Sequence, residues 1–149
     1  MSLAADSFFF RALSQSDAVT DLVGNRIANP GLTYDEEDTM KVPYIIVMLD
    51  EVVNDSDTKD DVGESMNDRA TVSIQVVADD RPLLAALART VRSVILQAFR
   101  DGSVNTSSQG FTLDDYDFSA GPVEIDPDKA CCSQTLRYVC DTTLIDSET

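Results

Sequence analysis

Histidine is absent from this 149-residue chain, and so is tryptophan. Without histidine there is no Ser–His or Cys–His nucleophile pair, no imidazole general base, and no imidazole ligand of the kind most zinc and iron sites use. Cysteine is sparse: Cys131 and Cys132 are adjacent and Cys140 stands apart. That spacing lacks the two-residue gap of a redox or zinc motif, so free, buried or half-buried thiols in a reducing compartment are expected. The six glycines are scattered singly, which leaves no phosphate-cradling loop. No apolar run approaches the roughly 20 residues that cross a bilayer. No basic segment followed by a hydrophobic stretch opens the chain, so no secretory signal is expected. Basic residues are also few, 11 against 27 acidic ones, for a formal net charge of −16. A surface so short of Lys and Arg is ill suited to gripping nucleic acid through its phosphates. It suits a soluble, self-repelling protein, or one past which a polyanion slides without sticking.

What is present is enough for a core. Hydrophobic residues make up 43% of the chain, and its length fits one domain spanning 1–149. The clearest stretch runs from Asp68 to Gly102. From Thr71 to Ala78, Val72, Ile74, Val76 and Ala78 alternate with Ser73 and Gln75, the period of a strand with one buried face. Asp79 and Asp80 end it, and Pro82 falls in the first turn of a helix, where proline is tolerated. Leu84, Leu87, Ala88, Val91, Val94, Ile95 and Ala98 then recur at three- and four-residue spacing, with Arg89, Arg92 and Arg100 on the opposite side.

Around this unit the remaining elements fall in order. A helix broken near Ser14–Asp17 is expected over Ala4–Val23, carrying Phe8, Phe9 and Phe10, and Asn25–Gly31 reads as a loop. Tyr44–Leu49 is a strand with two apolar faces, Tyr44, Ile46 and Met48 on one and Ile45, Val47 and Leu49 on the other. Two apolar faces imply that the second is covered too, by another segment or another subunit. The acidic stretch Asp50–Asp68 reads as a long connection between strands. It is no calcium loop: counted from Asp55, the sixth and twelfth positions hold Asp60 and Met66, where an EF-hand needs Gly and Glu. Strands are expected at Phe111–Ser119 and Ser133–Leu144. The order α-β-β-α-β-β predicts an α+β domain, a mainly antiparallel four-stranded sheet with two helices packed on one face.

Catalysis finds little support in these residues. Adjacent carboxylates occur at Glu36–Glu37, Asp60–Asp61, Asp79–Asp80 and Asp114–Asp115, but none has a nucleophile or a basic orienting group beside it. The arginines of the long helix are more informative. Either they pair with local acidic loops, or they meet an acidic neighbour, most simply another copy of the chain.

In order and spacing, four segments of this chain resemble the small tail-completion (tail-terminator, head–tail joining) proteins of long-tailed bacteriophages and prophages. They are the N-terminal helix leading into Ala18–Ile27, the strand Pro43–Val47, the strand Thr71–Asp79 with the helical Ala88–Ile95, and the closing strand near Leu136–Cys140. The resemblance implies a non-enzymatic part of the virion tail, made in the bacterial cytoplasm, that needs no cofactor, metal or membrane. It implies a six-fold ring that caps the tail tube and joins it to the head connector, with DNA only as passing cargo. Its partners are then other copies of itself, the tube protein and the connector. A ring with head-to-tail contacts needs two different surfaces per subunit. Candidates are Tyr44, Ile46 and Met48 for one and Arg89, Arg92 and Arg100 for the other. Asp55, Asp57, Asp60, Asp61 and Glu64 are candidates to line the channel. Two other readings fit the same residues: another phage neck or tail assembly factor, and a small acidic intracellular binding module acting as monomer or dimer.

Overall fold

The computed structural model describes residues 5–29, 41–54, 67–101 and 111–144. Three helices in it form where side-chain spacing and capping agree. Helix α1 (Ala5–Ser14) buries Ala5, Phe8, Phe9, Ala12 and Leu13, a stripe at helical spacing. Helix α2 (Asp17–Val23) starts at Ser16, whose side chain accepts from the Val19 N–H at 3.4 Å. It ends at Gly24, whose φ of 63° lies where a side chain would be strained and whose N–H donates to the Thr20 carbonyl at 2.7 Å. Helix α3 (Arg81–Asp101) follows Asp80, which accepts the Leu83 N–H on its carboxylate at 2.7 Å and the Leu84 N–H on its carbonyl at 3.0 Å. Pro82 sits in this first turn, where its missing N–H costs nothing. Leu84, Leu87, Val91, Ile95 and Ala98 form the buried side of α3.

The sheet departs from the sequence-based expectation. It has six strands in a mixed arrangement, and three helices pack with it, in place of four antiparallel strands and two helices. The strands are β1 (Ile27–Ala28), β2 (Tyr44–Asn54), β3 (Asn67–Ala78), β4 (Phe111–Ala120), β5 (Glu124–Asp126) and β6 (Cys131–Leu144). Their order is β1-β2-β3-β6-β4, with β5 also on β6. The two additional strands are short, and only their neighbours hold them. β1 lies parallel to β2 in what reads as a turn, held by the Ile45 N–H on the Arg26 carbonyl at 3.0 Å and by Arg26 Nε on the Pro43 carbonyl at 2.9 Å. β5 continues the line of β4 along β6 after a bend at Gly121, whose N–H donates to the Thr135 carbonyl at 2.9 Å. The interruption foreseen near Ser14–Asp17 separates two true helices, α1 and α2.

Two bulges also reset the alternation that the sequence led us to expect. In β2 the register shifts between Leu49 and Glu51, so Asp50 is extra and β2 runs on to Asn54. Its first residues therefore belong to strand and not to the long acidic connection. In β4 the shift falls between Leu113 and Asp115. It places Leu113 opposite the buried Thr142, on the same side as Tyr116 and Phe118, where simple alternation puts them on opposite sides.

All three helices share one face of the sheet. On it, Ile45 and Val47 of β2, Val72, Ile74, Val76 and Ala78 of β3, and Cys132, Leu136, Tyr138 and Cys140 of β6 are buried. An aromatic cluster ties the layers together. Phe99 of α3 lies 4.9 Å from Phe8 of α1 and 4.5 Å from Tyr116 of β4, and Phe9 lies 5.2 Å from Tyr138 of β6. The Tyr138 hydroxyl is buried within this cluster and has no hydrogen-bond partner among the described residues.

Removing that hydroxyl removes an unsatisfied buried group. Tyr138→Phe is therefore expected to leave stability unchanged or raise it by about 1 kcal/mol. Phe9→Ala should lower stability by about 3–5 kcal/mol, the range for deleting a buried aromatic ring. Urea titrations followed by circular dichroism measure both.

Candidate assembly surfaces

The face of the sheet away from the helices carries residues of a different kind. Between Tyr44 and Met48 the strand alternates, so Ile45 and Val47 point into the core and Tyr44, Ile46 and Met48 point to the open face. Tyr44 and Ile46 are half-buried, and Met48 is 46% exposed. Further along, Val53 is 48% exposed. Among the described residues no helix covers these side chains, and the second apolar face of β2 is open there. Toward β6 and β4 the same face turns polar and charged, with Thr135, Arg137, Asp117 and Ser119 exposed. Arg69 of β3 pairs with Asp141 of β6 across it at 3.3 Å. Both side chains of that pair are more than half exposed, so it adds little stability. At the bulge in β2, the Ser73 hydroxyl donates to the Asp50 carboxylate.

The second candidate surface lies on α3. Arg89, Arg92 and Arg100 are all exposed, and Leu96, exposed at 38%, sits among them. The guanidinium of Arg92 rests 4.2 Å above the ring of Phe118 on β4, a cation–π contact that fixes this side of α3 over the β4 edge of the sheet. Arg92 and Arg100 also bear on Tyr116: burial raises its pKa, and the two positive charges oppose that rise. The acidic loops that could offer local pairing lie largely outside the described residues. Asp101 is the only acid in α3, and it accepts from the Gln97 amide at 2.7 Å. Among the described residues none of the three arginines pairs with a carboxylate. Sequence periodicity brought these arginines to one side, and the structure adds Leu96 and Phe118, whose part only the packing of α3 on β4 reveals.

Helix α3 is also, among the described residues, one helix long and apolar enough to cross a membrane by those measures alone. Its stripe from Leu84 to Ala98 is at most 6% exposed, so that apolar side is already used by the core. The channel candidates Asp55, Asp57, Asp60, Asp61 and Glu64 lie outside the described residues.

Elsewhere the chemistry is modest. No three His, Cys, Asp or Glu side chains converge on a metal-sized site among the described residues. The three thiols are free, Cys131 half-buried and Cys132 and Cys140 buried. A shallow cleft of about 310 Å³ lies between the start of α3 and the β5–β6 turn, bordered by Arg81, Ile125 and Cys131. Burial pushes the Cys140 thiol up to about 12, with the nearby Asp141 adding to the rise, and burial also raises Cys132 and Tyr138.

Two measurements follow from these environments. In a double-mutant cycle, Arg92→Ala and Phe118→Ala should couple by about 0.5–1 kcal/mol, as an exposed cation–π pair does. The thiols predict a pH dependence. Cys140 is held neutral in the fold but ionises near its ordinary value of 9.0 when unfolded. Its contribution is whole below pH 9 and is lost as the pH rises toward 12, so the urea midpoint should fall over that window. Cys140→Ala should flatten this decline, and at pH 8 a thiol reagent should modify Cys131 well before Cys132 or Cys140.

No family model matches the sequence, and no curated protein matches it either. Its fold is similar to that of a chain in a solved structure, the virion of a native gene transfer agent (GTA) particle. The two superpose with a TM-score of 0.63 over 93% of each chain at 13% sequence identity, a likeness of fold from end to end.

Proposed function

We propose that this chain is a structural, non-catalytic component of a phage or prophage virion, a tail-completion ring that ends the tail tube and joins it to the head connector. The observation that carries the reading is the fold, matched over 93% of both chains to a chain of a phage-like virion particle. Two features of the chain support the ring. Its open surfaces differ: an apolar strip of Tyr44, Ile46 and Met48 on the sheet, and an arginine side on α3. Association through two different surfaces is heterologous and closes into a ring when the rotation between neighbours allows it. The net charge of −16 keeps a DNA channel from holding its cargo. In this reading the partners are other copies of the chain, the tube protein and the connector, and DNA only passes through.

The test is light-scattering mass after size exclusion at low and moderate salt, with and without tail tubes from the phage or prophage that encodes the chain. A species near six times the 16.2 kDa subunit, or capture on tube ends, is the expected result. A monomer or dimer that ignores those tubes would overturn the ring and favour a small acidic binding module.

A further inference from the structure

The arginine side of α3 has a counterpart on the same subunit. Helix α2 turns Val19 and Val23 inward, while Asp17 and Asp21, one turn apart, are exposed on its other side. Only Gly24, Asn25 and Arg26 separate α2 from the edge strand β1, and α2 packs on α1 and α3. Arg92 of α3 rests on Phe118 of β4, at the other edge of the sheet. The acids and the arginines therefore lie on different helices, and both face solvent.

We infer that copies of this chain associate head to tail, with Arg89, Arg92 and Arg100 of one subunit set against Asp17 and Asp21 of the next. This rests on the ring reading and adds an acidic side, on α2, to the surfaces named there. Among the described residues these three arginines meet no carboxylate, in a chain with 27 acids to 11 bases, and they match the charge the chain itself carries in excess. Leu96 in their midst supplies an apolar centre around which charged contacts lose water. Because the two sides differ, the contact is heterologous, as a closed ring requires. The contact is electrostatic, so it weakens as salt shortens the reach of charge to about 8 Å at physiological ionic strength.

Reversing charge on one side at a time tests it. The first variant carries Arg89→Glu, Arg92→Glu and Arg100→Glu, and the second carries Asp17→Lys and Asp21→Lys. Self-association is followed by sedimentation velocity across a concentration series at low salt, with tail tubes added in a parallel series. Each variant alone should associate at least about tenfold more weakly than the unmodified chain. Mixed in equal amounts, they should recover the mass of the unmodified assembly, because each reversed side then meets its opposite. Recovery also shows that both variants are folded. The pairing is overturned if each variant alone assembles like the unmodified chain, or if the mixture stays dissociated; in the first case the ring reading stands. It is also overturned if the arginine variant assembles normally but loses binding to a short DNA duplex, which would assign α3 to nucleic acid. An unmodified chain that stays monomeric with and without tubes overturns both the pairing and the ring.

Discussion

The pairing of β3 with β6 is the constraint on which the rest of this structure depends. From Asn67 opposite Thr143 to Ala78 opposite Cys132 the two strands stay in antiparallel register without a bulge. Strict alternation over that length commits every second residue of both strands to the same face. That face gathers Val72, Ile74 and Val76 from one strand and Leu136, Tyr138 and Cys140 from the other, and the helices cover it. The neighbouring β2 and β4 each tolerate a bulge because they lie outside this pair and can bend without disturbing it. The contrast between a covered and an open face, and with it the choice of assembly surfaces, follows from this one register.

Much of this was legible in the sequence where physical signals reinforce one another. In α3 the apolar spacing, the proline in the first turn and the acid before it all agree, and the helix forms as expected. Strand β3 alternates cleanly from Thr71 to Val76 because it lies in the middle of the sheet with one face wholly buried; Val77, opposite Tyr44, is buried as well. The arginines were likewise placed on one side of α3 by periodicity alone. What escaped the sequence depends on contacts far along the chain. Two residues at Ile27 and Ala28 have no period to read and become a strand only because β2 offers them an edge. Asp50 and Asp114 carry no mark of a bulge, so simple alternation sets Leu113 on the side of β4 away from Tyr116 and Phe118. The seat of Arg92 on Phe118 joins residues 26 positions apart and needs the packed helix and strand to exist. Tyr44, Ile46 and Met48 show the opposite case: the alternation puts them on one side of β2, and among the described residues no helix covers that side.

Electrostatics in this protein is arranged by region. The acids far outnumber the bases, yet the long helix carries a run of arginines and ends in a single acid. A helix so arranged gives up the modest stabilisation of internal ion pairs one turn apart, a few tenths of a kcal/mol each. Its stability comes instead from its capped start and its buried stripe. The exposed side is thereby free to carry a charge opposite to that of the molecule as a whole.

The partner of β3 also has a bearing on how the chain comes into being. β3 lies near the middle of the chain, but its long neighbour is the last strand, and Phe9 near the start packs on Tyr138 near the end. Contacts so distant in sequence make for slow closure. During synthesis the three helices and the β2–β3 hairpin emerge before β6, and the long edge of β3 has no partner until β6 has left the ribosome. Folding of this subunit is therefore a late, whole-chain event, and a truncated product would present a bare apolar strand edge to its neighbours.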